Sequence, residues 1–321
     1  MTRAGLAQAA FWLALLTLAS RLLGRVREMV VASAYGIRPE LDLFWVAMTV
    51  PDLIGSNALF VALYLFVPAY LHEREHAPEA ADRFAGAFLQ RAAAVLLLIS
   101  AGLYAAAPWI ADRLAPGLAP ELRGLLVLLT RWCSLIVLGR GLEGALRGVL
   151  HAHRRFLVPA IAGFLVSGSV IAMVWAFAPA YGVKALAWGI AAGNLLPLVV
   201  MFPVAWRAAP WRLARVASHP ALGRMARLVP WFVGIEVAGL AMPLVDRVIA
   251  VRMLEPGAIS ALSYARALAD VPVTLLAMTV ATVLFPSLAV HAARAEREVF
   301  QETLRRGVRA VVVLLLPVAC L

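Results

Sequence analysis

Lysine is almost missing from this chain: of 29 basic residues, all but Lys184 are arginine. A nucleotide-binding loop of the GxxxxGKS type needs its lysine among glycines, and Lys184 has no such context, so ATP hydrolysis within the chain is not expected. Cysteine is nearly as scarce. Cys133 and Cys320 both lie in apolar runs, with neither metal spacing nor a disulfide framework. No zinc spacing links His72, His76, His151, His153, His219 and His291, and the pairs His72/His76 and His151/His153 read as solvated loop residues near arginines. No metal and no cofactor are therefore expected. Charge is sparse at 15% of residues, where a soluble domain carries roughly a quarter. Alternating segments of about ten residues, the mark of a membrane β-barrel, are also missing.

What the chain has instead is apolar length. Of 321 residues 63% are hydrophobic, and the mean hydropathy is +0.88. Length alone would allow two soluble domains. The hydropathy overrides that, because a helix crosses a bilayer with about 20 apolar residues and such stretches follow one another here. The fold class is all-α and polytopic. About nine spans are expected, near 6–34, 41–71, 84–111, 122–150, 157–179, 184–206, 225–251, 258–290 and 303–321. The first run, Leu6 to Ser20, has no small-residue cleavage site and continues into arginines, so it reads as a retained helix.

The net charge of +11 would suit nucleic acid, but its distribution suits a membrane better. Arginines gather at Arg147 and Arg155, at Arg207 to Arg227, and at Arg294 to Arg309, while alternate connections are poor in them. By the positive-inside rule the rich side is cytoplasmic, and so is the N-terminus. No nucleic-acid partner is needed. The basic linker at 207–224, with Pro210 and Pro220, separates six spans from the rest. It divides a six-helix lobe (1–208) from the start of a second (209–321). The apolar run ending at Leu321 has no polar exit, and a truncated second lobe is expected.

Ionisable residues within a span cost about 2.5–3.5 kcal/mol each, so they mark cavities or pairs. In the first span Arg21, Arg25 and Glu28 share one face (i, i+4, i+7), with Arg27 pointing elsewhere. In the second, Asp42 stands where an acid complements the start of its own helix, and Asp52 follows Pro51 deeper in the span. A proline frees a carbonyl there, and a bent helix at a water-filled cavity is the common setting. The fourth span carries Arg140, Glu143 and Arg147 on one face, beside a stripe of Gly141, Gly144 and Gly148 that signals close helix packing. Arg140 and Glu143 read as a self-neutralised pair. Glu236 and Arg247 nearly coincide on the wheel of the seventh span, and Arg266 and Asp270 are spaced i, i+4 in the eighth. A polar cavity rich in arginine suits an anionic head group, because the planar guanidinium grips two oxygens at once.

The runs SRLLGRVREMVVASAYG (Ser20 to Gly36) and LDLFWVAMTVPDL (Leu41 to Leu53) resemble the start of the MurJ/MviN lipid II flippases, of the multidrug/oligosaccharidyl-lipid/polysaccharide exporter superfamily. ALAWG (Ala185 to Gly189), LVDRVIAVRMLEPGAISALSYA (Leu244 to Ala265) and VLFPSLA (Val283 to Ala289) follow in the family's order. The resemblance implies two helical lobes around a central cavity and a longer chain. It also implies export of undecaprenyl-linked lipid II across the bacterial cytoplasmic membrane by alternating access. By position, Arg21, Arg27, Glu28 and Asp42 match cavity-lining charges of the family. Two departures stand out. GSNALF (Gly55 to Phe60) replaces a paired arginine of the second helix, and the family arginine of the eighth span falls on Ala267, one residue after Arg266.

The candidate substrate-binding set is Arg21, Arg27, Glu28, Asp42, Asp52, Arg266 and Asp270, with no catalytic residue. The expected partners are a lipid-linked sugar precursor, the bilayer, a coupling cation or the membrane potential, and cell-wall synthesis proteins. Three alternatives stay open: a flippase for another lipid-linked oligosaccharide, a cation-coupled drug exporter, and a scaffold that recruits envelope-synthesis enzymes. The arginine cluster speaks against the drug exporter. A membrane glycosyltransferase ranks last, for want of a long external loop.

Overall fold

The computed structural model of the chain describes residues 3–153, 155–208, 220–231, 233–234, 238, 249, 257–272 and 296–319. Among these there are helices and turns and no strand. The helices are α1 (Arg3–Tyr35), α2 (Pro39–Val61), α3 (Val67–His76), α4 (Pro78–Leu114), α5 (Pro120–Cys133), α6 (Leu135–Ala152), α7 (Leu157–Tyr181) and α8 (Val183–Ala208). They are followed by a helical stretch α9 (220–231), then α10 (Ala258–Pro272) and α11 (Arg297–Ala319). The chain forms two compact units, Met1–Ser260 and Ala261–Leu321. The lobe boundary expected at 208/209 and the residues Glu236, Asp246 and Arg247 lie outside the described residues, as do VLFPSLA and the end of the last span.

Among the described residues five stretches are long and apolar enough to cross a membrane: Pro39–Glu75, Glu79–Leu114, Pro120–Ala152, Leu157–Tyr181 and Val183–Ala208. α1 adds 33 residues of continuous helix. The chain is a polytopic all-α membrane protein. The outer faces agree with this, since Leu98 of α4, Trp175 of α7 and Val199 of α8 are 72%, 84% and 71% exposed. Such apolar surface is tolerated in lipid and not in water. Trp109 near the end of α4, and Trp175 and Tyr181 near the end of α7, have the placing of an interfacial aromatic belt.

Proline and glycine punctuate the helices where their backbone demands fit. α2, α4 and α5 open with Pro39, Pro78 and Pro120, where the missing N–H costs nothing. Gly182, in the left-handed region at φ +56°, closes α7, and its N–H donates to the Ala178 carbonyl at 2.9 Å. Among the described residues two of the expected spans are interrupted. The second span widens into a π-turn at Ala62–Phe66, and the fourth breaks at Ser134 into α5 and α6.

α6 is the hub, packing on α2, α4 and α8. Its glycines make that possible. A Cβ on Gly144 would stand 2.8 Å from Leu59 Cα of α2, one on Gly141 2.5 Å from Leu96 of α4, and one on Gly139 2.5 Å from the Asn194 carbonyl of α8. The glycine stripe read from the sequence is thus a packing surface. At the far end of α6, Phe66 stacks on Phe88 at 4.3 Å within a core that includes Tyr70 and Phe84. His153 packs against the Tyr70 ring at 5.8 Å, and burial holds its imidazole below the ordinary histidine range, so it is not the solvated loop residue expected.

Candidate functional site: three charged clusters in the first unit

The first cluster lies in α1. Ser20 and Gly24 of this helix abut Gly163 and Ser167 of α7, which fixes the helix rotation. Arg27 donates from Nη2 to the Glu28 carboxylate at 2.6 Å, both side chains about three-quarters covered. Arg27 thus reaches sideways to the acid that the wheel places on another face. Arg21 is exposed, and it makes no hydrogen bond or ion pair among the described residues. Its five donors remain available.

The second cluster is built around Asp42, which is 9% exposed. The sequence suggested that it caps its own helix; the structure gives its carboxylate to another. Oδ2 accepts the Gly257 N–H at 2.5 Å, and Oδ1 accepts the Ser260 N–H at 2.7 Å together with the Ser260 hydroxyl. Gly257 and Ser260 bracket the start of α10, so Asp42 satisfies donors that any helix N-terminus leaves open and meets its positive dipole end. Gly257 sits at φ +96°, and a Cβ there would be 2.5 Å from the Ile37 side chain. The turn between α1 and α2 therefore closes against the same residue.

The third cluster joins Asp52 of α2 to Arg140 of α6. Nη1 of Arg140 donates to Asp52 Oδ1 and, at 3.0 Å, to the Ser56 hydroxyl, while Nε donates to Asn194 Oδ1 of α8 at 3.2 Å. Asn194 is 1% exposed and its amide donates back to the Ile190 carbonyl at 2.7 Å, which fixes the acceptor. α2 comes close to α6 at Gly55: a Cβ there would be 3.3 Å from the Ile136 carbonyl and at ordinary contact distance, 3.5 Å, from Arg140 Cδ. Arg140 thus lands on the turn of α2, Gly55 and Ser56, that the sequence comparison left without its paired arginine. The self-neutralised pair expected within α6 is not formed. Glu143 pairs with Arg147 one turn on, and Arg140 crosses to another helix.

Among the described residues no hydrogen bond or ion pair links these three clusters to one another. Arg266 is exposed on α10, in the second unit, and the Asp270 side chain lies outside the described residues. Reasoning on the sequence missed Arg140 as the partner of Asp52, and with it Ser56 and Asn194. A usable signal existed: polar residues deep in three different spans, with opposite charge on two of them. Elsewhere, Arg131 lies over the Tyr104 ring at 5.0 Å. The pair Arg123–Asp112, at 2.6 Å on an exposed surface, joins the starts and ends of neighbouring helices. Exposed pairs contribute little, so Asp112→Asn should leave thermal stability in detergent unchanged.

A sequence profile described as "Lipid II flippase MurJ" matches residues 31–321, nearly the whole chain. The chain belongs to the MurJ lipid II flippase family. It is 29% identical over 317 residues to the lipid II flippase MurJ of Burkholderia cenocepacia, covering 94% of this chain and 61% of that protein. It is 28% identical over 295 residues to the probable lipid II flippase MurJ of Rhizobium meliloti, covering 85% and 53% respectively. The chain therefore spans between half and two thirds of the length of these MurJ relatives. The fold matches a solved lipid II flippase MurJ in an inward closed conformation, with a TM-score of 0.79 at 20% identity over 96% of this chain and 64% of that one. A MOP superfamily transporter from Pyrococcus furiosus matches with a TM-score of 0.60 at 19% identity, over 97% of this chain and 70% of its own. The MurJ fold and family are thereby established for this chain.

Proposed function

We propose that the protein carries lipid II across the bacterial cytoplasmic membrane by alternating access. The observation that carries this reading is the family match over residues 31–321, in a chain that keeps arginines inside its spans. Arg21 and Arg27 bind the diphosphate in this reading. Among the described residues nothing occupies the donors of Arg21, and Arg27 exchanges its bond to Glu28 for a phosphate oxygen. Charge-assisted, two-pronged bonds of this kind are the strong ones. The sugar crosses through the protein in this reading, and the polyprenyl tail stays in the bilayer. The arginine-rich connections put the N-terminus in the cytoplasm.

Asp42 has a different part. Its bonds to Gly257 and Ser260 hold the first turn of α10 against α2. Opening that side requires them to break, and substrate can shift the balance only by its differential affinity for the two states. A coupling cation or the membrane potential supplies the remainder of the drive. Arg266 and Asp270 are retained as candidates on α10, and cell-wall synthesis proteins as partners.

A second reading, a flippase for another lipid-linked oligosaccharide, is favoured by Gly55 and Ser56 standing where the resemblance leads one to expect paired arginines. Binding separates the two readings. Purified full-length protein mixed with lipid II in native mass spectrometry should show a one-to-one complex. Each of Arg21→Ala and Arg27→Ala should weaken it by about tenfold or more, the value of one charged hydrogen bond. No complex with lipid II, in protein that binds another undecaprenyl-linked oligosaccharide, would favour the second reading.

A further inference from the structure

Asp52, Arg140 and Asn194 each lie roughly ten or more residues, about 15 Å of helix, from either end of the membrane-crossing stretches that carry them. Neither charge is sealed: the side chains of Arg140 and Asp52 remain 26% and 33% exposed. Three bonds fix the guanidinium from two sides, through Nε to α8 and Nη1 to α2. Nη2 has no partner among the described residues, and neither has Asp52 Oδ2. A purely structural pair would be expected to turn both prongs of the fork on its acid, as bidentate arginine–carboxylate pairs do. Here one prong is spent on holding the side chain in place and the other is left over.

We propose that Arg140 is an oxyanion-binding residue of the transport path, for a diphosphate head group, and that Asp52 is its placeholder counter-ion when the site is empty. This rests on the lipid-linked substrate proposed above. The incoming phosphate takes Nη2 first and then competes with Asp52 for Nη1, while Asn194 and Ser56 keep the guanidinium plane from swinging away. The acid lowers affinity for the anion, which favours release on the far side. It also spares the protein an unpaired cation at membrane depth, a costly state.

The test exploits opposite signs. Full-length protein in detergent is titrated with farnesyl diphosphate, a short polyprenyl diphosphate, and with phosphatidylglycerol as a bilayer-lipid comparison. Asp52→Asn, which frees Arg140 from its competitor, should bind farnesyl diphosphate several-fold more tightly than the parent. Arg140→Gln should bind it about ten- to a hundredfold more weakly, the loss of a charged hydrogen bond. Arg140→Lys should recover part of that. If Asp52 and Arg140 serve only to hold α2 and α6 together, both variants lose stability and their affinities fall together or not at all, and the proposal is overturned. It is equally overturned if Asp52→Asn tightens phosphatidylglycerol alone, since the site would then belong to a bilayer lipid. The outcome is separable from the flippase reading. A parent that restores lipid II export while Arg140→Gln binds and exports normally sinks this inference and leaves that reading intact. A parent that binds neither lipid II nor farnesyl diphosphate ends both.

Discussion

Asp42→Ala should be the most damaging single substitution among the charged residues, costing about 2–4 kcal/mol of stability and abolishing transport. The carboxylate accepts three hydrogen bonds, from Gly257, the Ser260 amide and the Ser260 hydroxyl, in a buried setting. Loss of an ordinary helix cap costs about 0.5–2 kcal/mol, and each donor left buried and unpaired adds about 1–3, though such terms do not sum fully. The effect should be graded. Asp42→Asn keeps an acceptor oxygen and should lose roughly half as much, while Asp42→Glu retains the charge at the wrong reach. Thermal unfolding in detergent reads the stability, and external lipid II reads the transport. Gly257→Ala attacks the same clasp from its other side, since φ is +96° and the added carbon meets Ile37 at 2.5 Å. It should resemble Asp42→Asn. An Asp42→Ala protein of parental stability would remove the clasp from the account.

Gly139→Ala is the second large effect, and it ties packing to the site. The new carbon would stand 2.5 Å from the Asn194 carbonyl oxygen and 2.8 Å from its carbon. These are backbone atoms of α8, so the clash is relieved only by moving a helix. Overpacking of this sort costs about 1–3 kcal/mol, and the upper end applies where backbone blocks the space. The displacement also withdraws Asn194 Oδ1, which accepts from Arg140 Nε. Stability and diphosphate affinity should therefore fall together in this variant. Gly102 and Gly124 give the contrast, since a Cβ at either meets nothing within 4 Å. Gly→Ala inside a helix is then worth about 0.5–1 kcal/mol in the opposite direction in water, and less where lipid surrounds the helix. Expression level and unfolding temperature across the three variants check both signs.

The spans were legible in the sequence because apolar length and proline or glycine punctuation are local. The described helices from α1 to α8 fall where hydropathy placed them, as does the glycine stripe of α6. What sequence reasoning could not see was partnership across helices. Wheel geometry ranks neighbours within one helix, so it joined Arg140 to Glu143. The fold instead brings α2 beside α6 at Gly55 and gives Arg140 to Asp52, leaving Glu143 for Arg147. Asp42 is the sharpest case. An acid in the first turn of a helix is ordinarily read as serving that helix, and its partners here lie more than 200 residues further along the chain.

The three clusters give three chemical roles to the charges that a membrane span should not contain. Arg27 with Glu28 is an ion pair within α1, Asp42 a clasp on the start of α10, and Arg140 a guanidinium held by neighbours on two sides. The glycines of α6 decide whether the last of these can form at all, by setting how closely α2 and α8 approach.

Export in living cells decides whether the chain flips lipid II. The full-length gene is expressed in cells depleted of their own lipid II flippase, and externally accessible lipid II is scored together with survival. The parent should rescue these cells, and Arg27→Ala at equal membrane abundance should not. A well-inserted parent that leaves lipid II inside the cell would contradict the flippase reading.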